Sequence, residues 1–276
     1  MKPAPFSYHR ATSVEDAVAT LAQGGGMARI LAGGQSLVPM LNLRLAPLDT
    51  VVDIGRVESL KQAQEDAASV RYGSLITHAA FEDKRVPDGS NGLMSFVGGQ
   101  IAYRAVRNRG TIGGAIALAD PAADWLTTLV ALEARLVVAG PGNQRTVAAA
   151  DFVIGSYLTD LAENEMIEAI VVPRRAPTER WGHYKVARKT GEYAESMAIA
   201  LIDKERGTAR VVVGATDGAP LVLDRAGRAF LDGQRDAALH AVIRDELMAS
   251  GRQFSAARLT MHTTVAMRGL KDAAAK

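Results

Sequence analysis

The sequence predicts an α+β protein in two parts, an α/β segment followed by a smaller unit of strands and then helices. Short apolar runs of strand character alternate with helical stretches across the first part. A stretch rich in proline and arginine, VVPRRAPTER, then interrupts the pattern. Beyond it three strand-like runs follow one another and two helical stretches close the chain.

In order along the chain, Ser13 with Asp16 three residues on reads as the N-cap of a helix over VEDAVATLA. RILA (29–32) is a short buried strand running into Gly33-Gly34, and LVPMLNLRL after it is apolar with weak periodicity. TVVDIG (50–55) and SVRYGS (69–74) are further strands, and Thr77 caps a helix over HAAFEDKR. The 93–106 region reads as a helix interrupted by Gly98-Gly99. From Arg107 to Gly140 the pattern is loop, glycine turn, short strand or loop, helix, strand. After the junction come HYKVAR, SMAIALIDK and ARVVVGAT, then helices over 236–250 and 255–272, with Leu259, Ala266 and Leu270 on one face of the last. The boundary falls near 175, giving units 1–175 and 176–276.

Composition excludes several classes of function. Of 276 residues, 48% are hydrophobic and 22% charged, a globular balance rather than a disordered one. A net charge of +2 gives no reason to expect nucleic acid as a partner. There are no cysteines, so disulfides, a thiol nucleophile, thiolate zinc sites and iron–sulfur ligation by this chain are excluded. No signal-peptide core and no apolar run of about 18 residues occurs, so a cytoplasmic protein without a membrane span is expected.

Two glycine pairs carry the chemical information. In Ile30-Leu31-Ala32-Gly33-Gly34-Gln35-Ser36-Leu37 a strand runs into two glycines and a hydroxyl residue. Glycines let a ligand approach the backbone, successive N–H groups make an anion-binding concavity, and Ser36 can cap a helix or bond a phosphate oxygen. Thr111-Ile112-Gly113-Gly114-Ala115 offers a second glycine turn, followed by Asp120 and Asp124, carboxylates suited to a ribose or ribityl hydroxyl. A lone Gly-Gly pair is commonly only a tight turn. Neither pair matches the Rossmann pattern, and no P-loop occurs.

AGGQSLVPMLNLRLA and RNRGTIGGAIALADPAADW, with their spacing, resemble the two flavin-binding segments of the medium subunits of carbon monoxide dehydrogenase and related xanthine dehydrogenase-family enzymes. KVARKTGEYAES resembles the part of their second domain that approaches the flavin. The resemblance covers essentially the whole chain. It implies an FAD-binding domain of the PCMH or vanillyl-alcohol-oxidase type, with two α/β subdomains, over 1–175. A carbon monoxide dehydrogenase flavoprotein C-terminal-like domain with a three-stranded antiparallel sheet and helices would occupy 176–276.

The resemblance also implies how FAD is held. Residues 30–37 would wrap the pyrophosphate, and Thr111, Gly113 and Gly114, with Ile112 and Ala115 beside them, would lie along the ribityl–pyrophosphate part. Asp124 matches a family aspartate that bonds FAD, Ile101 and Ile167 would line the adenine end, and Lys185 and Tyr193 would approach the ring. Two departures stand out: Ala115 replaces a frequent Asp or Asn, leaving only its backbone, and Gln35 replaces a His common in the carbon monoxide enzymes, which argues against carbon monoxide as substrate. The implied role is an oxidoreductase subunit passing electrons from two [2Fe–2S] clusters on a small subunit to an external acceptor. A large subunit would carry a molybdopterin-type cofactor, and the assembly would be a dimer of heterotrimers. The alternatives are a stand-alone PCMH-type flavin oxidase acting on an alcohol and a flavin-free scaffold.

Other candidates read more simply. None of His9, His78, His183, His240 and His262 pairs at metal-ligand spacing, so surface or packing roles are expected. GGQSLV fails the serine-hydrolase elbow. Arg104, Arg107 and Arg109 read as solvated charge or, more sharply, as a docking patch or pyrophosphate neighbour. Trp125 and Trp181 read as packing residues, and no catalytic acid–base residue is identified.

Overall fold

Three sheets organise the protein, and the computed structural model describes residues 2–276 of it. The first sheet is parallel. It contains β1 (Ser7–Arg10), β2 (Ala28–Leu31) and β3 (Thr50–Asp53) in the order β1-β3-β2. Helix α1 (Val14–Gln23) makes the crossover that parallel strands require. The Ser13 hydroxyl accepts from the Asp16 N–H at 3.1 Å, so the capping expectation matches the geometry. Val52 faces α1 in one core while Val51 faces the second crossover helix, α2 (Leu37–Asn42), in another. The weakly periodic LVPMLN run is that helix, with Pro39 tolerated in its first turn.

The second sheet has five antiparallel strands, β4 (Ala63–Glu65), β5 (Ser69–Gly73), β6 (Arg135–Gly140), β7 (Asn143–Ala148) and β10 (Met166–Pro173), ordered β4-β5-β10-β6-β7. A short hairpin of β8 (Val153–Gly155) and β9 (Leu158–Thr159) stands beside it. Six helices lie between its strands: α3 (His78–Glu82), α4 (Leu93–Gln100), α5 (Arg104–Arg107), α6 (Ile112–Leu118), α7 (Asp124–Ala131) and α8 (Ala149–Phe152). Tyr72, Phe81 and Trp125 stack through their core at ring separations of 5.1 and 5.0 Å.

Gly98-Gly99 does not interrupt a helix: α4 runs through both and stops at Ile101, where Ala102 takes a left-handed φ of 46°. A Cβ on Gly98 would stand 3.0 Å from both the His78 carbonyl oxygen and the Phe81 Cβ, so this glycine lets α3 and α4 approach. The Gly113-Gly114 pair is likewise not a turn, because it lies in the first turn of α6.

Residues 174–179 connect β10 to the third sheet, made of β11 (Arg180–Val186), β12 (Ser196–Asp203), β13 (Thr208–Gly214) and β14 (Leu221–Val222). The sheet therefore has four antiparallel strands, not the three expected. Two residues of β14, too few to show a period, pair with Val212 and Val213. Helices α9 (Asp224–Leu231), α10 (Asp236–Ala249) and α11 (Ala256–Ala275) cover one face. All eight residues of β12 are buried. Ala198, Ala200 and Ile202 face α11, while Ile199 and Leu201 join the core around Trp125 and α7. A helix on each face explains why this strand shows no polar alternation.

Gly182 of β11 sets the distance to α11, because a Cβ there would collide with the Gly269 carbonyl oxygen and the Ala273 nitrogen. Gly182→Val is expected to destabilise the protein by about 1–3 kcal/mol through overpacking. Urea unfolding followed by circular dichroism checks this, and an unchanged midpoint would show that α11 does not rest on β11.

Candidate functional site

β2 ends at Leu31, and the chain turns through Ala32, Gly33, Gly34, Gln35 and Ser36 into α2. Ile30 packs on the α1 side of the parallel sheet, and Leu31 and Leu37 pack on the α2 side. Gly34 has φ 75°, a conformation in which glycine escapes the penalty a Cβ would bring. Among the described residues, the backbone N–H groups of Ala32 to Ser36 donate to no protein acceptor. Ser36 makes no side-chain capping bond, so of its two sequence readings the helix cap is not used. A run of free donors thus lies half-buried at the carboxyl edge of a parallel sheet, with Gln35 exposed among them.

The second segment is satisfied internally. Thr111 is buried and caps α6, accepting from the Gly114 N–H at 3.1 Å. The N–H of Ile112 donates to the Ile76 carbonyl and that of Gly113 to the Ser74 carbonyl, each at 3.0 Å. A Cβ on Gly113 would collide with Ser74. Ile112 is fully buried and Ala115 half-buried. The two segments meet directly. A Cβ on Gly33 would strike the Arg109 carbonyl oxygen, and one on Gly114 would lie 3.8 Å from the Ala32 Cβ.

The arginines between them are mostly spoken for. Arg104 pairs with Glu82 and Asp83, and Arg107 pairs with Glu82 while donating to the carbonyls of Ile101 and Ala102. Arg109 remains exposed, with its Nε 3.4 Å from the Gly33 carbonyl oxygen. The Ala102 N–H donates to the Gly191 carbonyl at 2.9 Å, which brings the Arg188–Tyr193 loop against Ile101. Tyr193 is 57% exposed on that loop, whereas Ile167 lies in β10, 4% exposed within the core.

At the first turn of α7 the Asp124 carboxylate accepts from Lys185 Nζ at 2.9 and 3.0 Å. Side-chain exposures of 5% and 10% make this a buried ion pair. Burial pushes the Asp124 carboxyl up, against the opposing pull of Lys185. Beside it, Asp120 accepts from the Tyr157 hydroxyl at 2.9 Å, and the Tyr157 N–H donates to the Ala119 carbonyl. Burial and the neighbouring Asp120 raise the Tyr157 phenol. Sequence reasoning missed Tyr157, since nothing in its local pattern relates it to a carboxylate 37 positions away.

Residues 4–175 match the family described as the FAD binding domain in molybdopterin dehydrogenase. The carbon monoxide dehydrogenase medium chain of Hydrogenophaga pseudoflava is 37% identical over 228 residues, covering 82% of this chain and 79% of that protein. The nicotine 6-hydroxylase medium subunit of Paenarthrobacter nicotinovorans is 34% identical, covering 79% and 77%. Among solved structures, carbon monoxide dehydrogenase from Hydrogenophaga pseudoflava superposes with a TM-score of 0.91 at 33% identity, over 100% of this chain and 99% of that one. Quinoline 2-oxidoreductase from Pseudomonas putida 86 gives 0.88 at 31%, with the same coverage. Among the described residues no helix is long and apolar enough to cross a membrane.

The buried pair makes a test possible. Lys185→Met leaves the Asp124 carboxylate unpaired and is expected to cost about 3–5 kcal/mol near neutral pH. A carboxyl raised in the folded state favours folding when protonated. The cost is therefore smallest below the unfolded value of about 3.9 and grows as pH rises through the folded value. Denaturant unfolding from about pH 4 to 8 checks the slope. Adding Asp124→Asn should flatten it, and a pH-independent loss in Lys185→Met would contradict the buried-charge account.

Proposed function

The chain belongs to the FAD-binding family of molybdopterin dehydrogenases, and on that premise we propose that it is the medium, FAD-carrying subunit of a molybdenum-containing hydroxylase. One observation carries the reading: the free N–H groups of 32–36 are held beside the second glycine segment. Such a run fits a pyrophosphate, whose oxygens need several converging donors and little side-chain bulk. Bound FAD supplies the capacity to take up electrons singly and release them in pairs.

The chain's residues divide the binding work. Ile30, Leu31 and Leu37 anchor the loop through apolar contacts, and Ala32 to Ser36 offer donors. The N–H groups of Ile112, Gly113 and Gly114 are already bonded, and the Thr111 hydroxyl, which accepts from Gly114, keeps only its own proton to donate, so this segment serves the ligand chiefly by shape, Gly114 and Ala115 leaving the approach clear. Asp124 and Lys185 act as a unit. The carboxylate orients the ammonium, whose remaining donor capacity is available to the ligand. Ile101, Ile167 and Tyr193 complete the proposed set.

With no cysteine in the chain, clusters feeding the flavin must lie on a partner. We place two [2Fe–2S] clusters on a small subunit and a molybdopterin-type cofactor on a large one, in a cytoplasmic dimer of heterotrimers that delivers electrons to an external acceptor. The division at 175, an FAD-binding unit then a carbon monoxide dehydrogenase flavoprotein C-terminal-like unit, is supported by the irregular 174–179 connection.

Purified protein mixed with FAD and desalted should keep flavin absorbance in the visible. FAD at a hundred times its Kd should add about 2.7 kcal/mol of stability. Gly33→Val should abolish retention, because its side chain would push the donor loop off the 109–111 backbone. No flavin uptake by the unmodified chain would sink the reading, and turnover of an alcohol by the isolated chain would favour a stand-alone oxidase.

A further inference from the structure

We propose that His78 is a positioning residue of the flavin site, holding a hydrogen-bond donor, Nε2–H, at a fixed place behind the 109–111 loop. The proposal rests on the FAD reading above. Trp125 Nε1 lies 3.0 Å from His78 Nδ1, and an indole N–H can only donate. Nδ1 must therefore accept, which leaves the proton of the neutral ring on Nε2.

The ring stays neutral. His78 is 4% exposed, and burial, reinforced by the nearby Arg107 charge, presses its pKa down to about 4. Arg107 is held in place by Glu82, so the repelling charge does not move away. Sequence reasoning assigned this histidine a surface or packing role, and packing alone does not account for its second nitrogen. Nε2 donates to no protein acceptor among the described residues. Unlike Nε2 of His183 and of His262, it is not sealed off from solvent.

What surrounds Nε2 connects it to the glycine segments. A Cβ on Gly110 would stand 2.7 Å from it, so only glycine keeps this side of the ring clear. The His78 N–H donates to the Gly110 carbonyl at 3.0 Å, and Thr77 bridges to Thr111. The Gly110 Cα in turn lies 3.0 Å from where a Gly33 Cβ would be. Gly110 thus lies close to both the imidazole and Gly33. The ring supports the loop against which the free N–H run rests, and its own donor has a set direction and no protein partner.

The test separates the two nitrogens. Nitrogen-15 NMR of the purified chain should show Nδ1 unprotonated and Nε2 protonated. Addition of FAD should shift the Nε2–H signal and slow its exchange with water. His78→Asn keeps an acceptor for Trp125 but loses the distal donor, and should weaken FAD binding about five- to tenfold with Trp125 fluorescence unchanged. His78→Gln, which restores a distal N–H, should recover part of that loss. A proton on Nδ1, an Nε2–H signal indifferent to FAD, or an Asn variant that binds FAD like the unmodified chain would each overturn the proposal. Should the Asn variant fail to fold, the NMR of the unmodified chain decides. Failure of that chain to take up FAD would overturn the parent reading and this one with it. Uptake with unchanged His78 signals would overturn this one alone.

Discussion

Asp124 and Lys185 face each other with almost no water to share their charge, one at the start of α7 and the other on β11. Neither is tolerable there alone, since a buried single charge must lose its proton balance or open the structure. Their union couples parts of the chain 61 positions apart. It also registers the third sheet against α7, every residue of which is buried. Around it Ile199, Leu201 and Val212 share a core with Trp125, so the two expected units are joined by packing as well as by charge. The Ala215 N–H donates to the Pro121 carbonyl at 3.1 Å and holds the loop leading into α7.

From that anchor the glycines acquire a common purpose that differs from flexibility. Gly33, Gly98, Gly113 and Gly182 each sit where a Cβ would meet a neighbouring backbone. They permit close approach between chain segments, which places loop against loop, helix against helix and strand against helix. Gly34 is the different case, because its left-handed φ turns the chain out of β2. The donor run of the first segment therefore exists because a nearby backbone lets it settle, and the second segment supplies that backbone.

Charge follows the same economy. Most of the basic stretch at 104–109 neutralises Glu82 and Asp83 rather than facing a partner, while the burial of His78 itself, reinforced by the Arg107 charge, keeps that ring uncharged. What the protein itself leaves unbonded here is a small set: the main-chain donors of 32–36, the Ser36 hydroxyl, His78 Nε2, part of the donor capacity of Lys185 and most of the exposed Arg109. Such donors suit the holding of a cofactor.

Local pattern alone determined much of this. Caps such as Ser13 and Thr77 are set by interactions within a few residues, and the strands expected at 29–32, 50–55 and 69–74, found at Ala28–Leu31, Thr50–Asp53 and Ser69–Gly73, and the buried face of Leu259, Ala266 and Leu270 show in local composition and period, so they can be read from a line of text. The absence of cysteine and the two glycine segments likewise belong to the sequence. Tertiary structure decided the rest. That β10 pairs with β5 on one side and β6 on the other, that Gly113-Gly114 opens a helix, that β14 adds a fourth strand and that Asp124 spends its carboxylate on Lys185 all depend on partners far away in the chain. Sequence spacing carries no term for such contacts. A glycine chosen for a turn and one chosen for close approach look alike until the neighbouring backbone is in place.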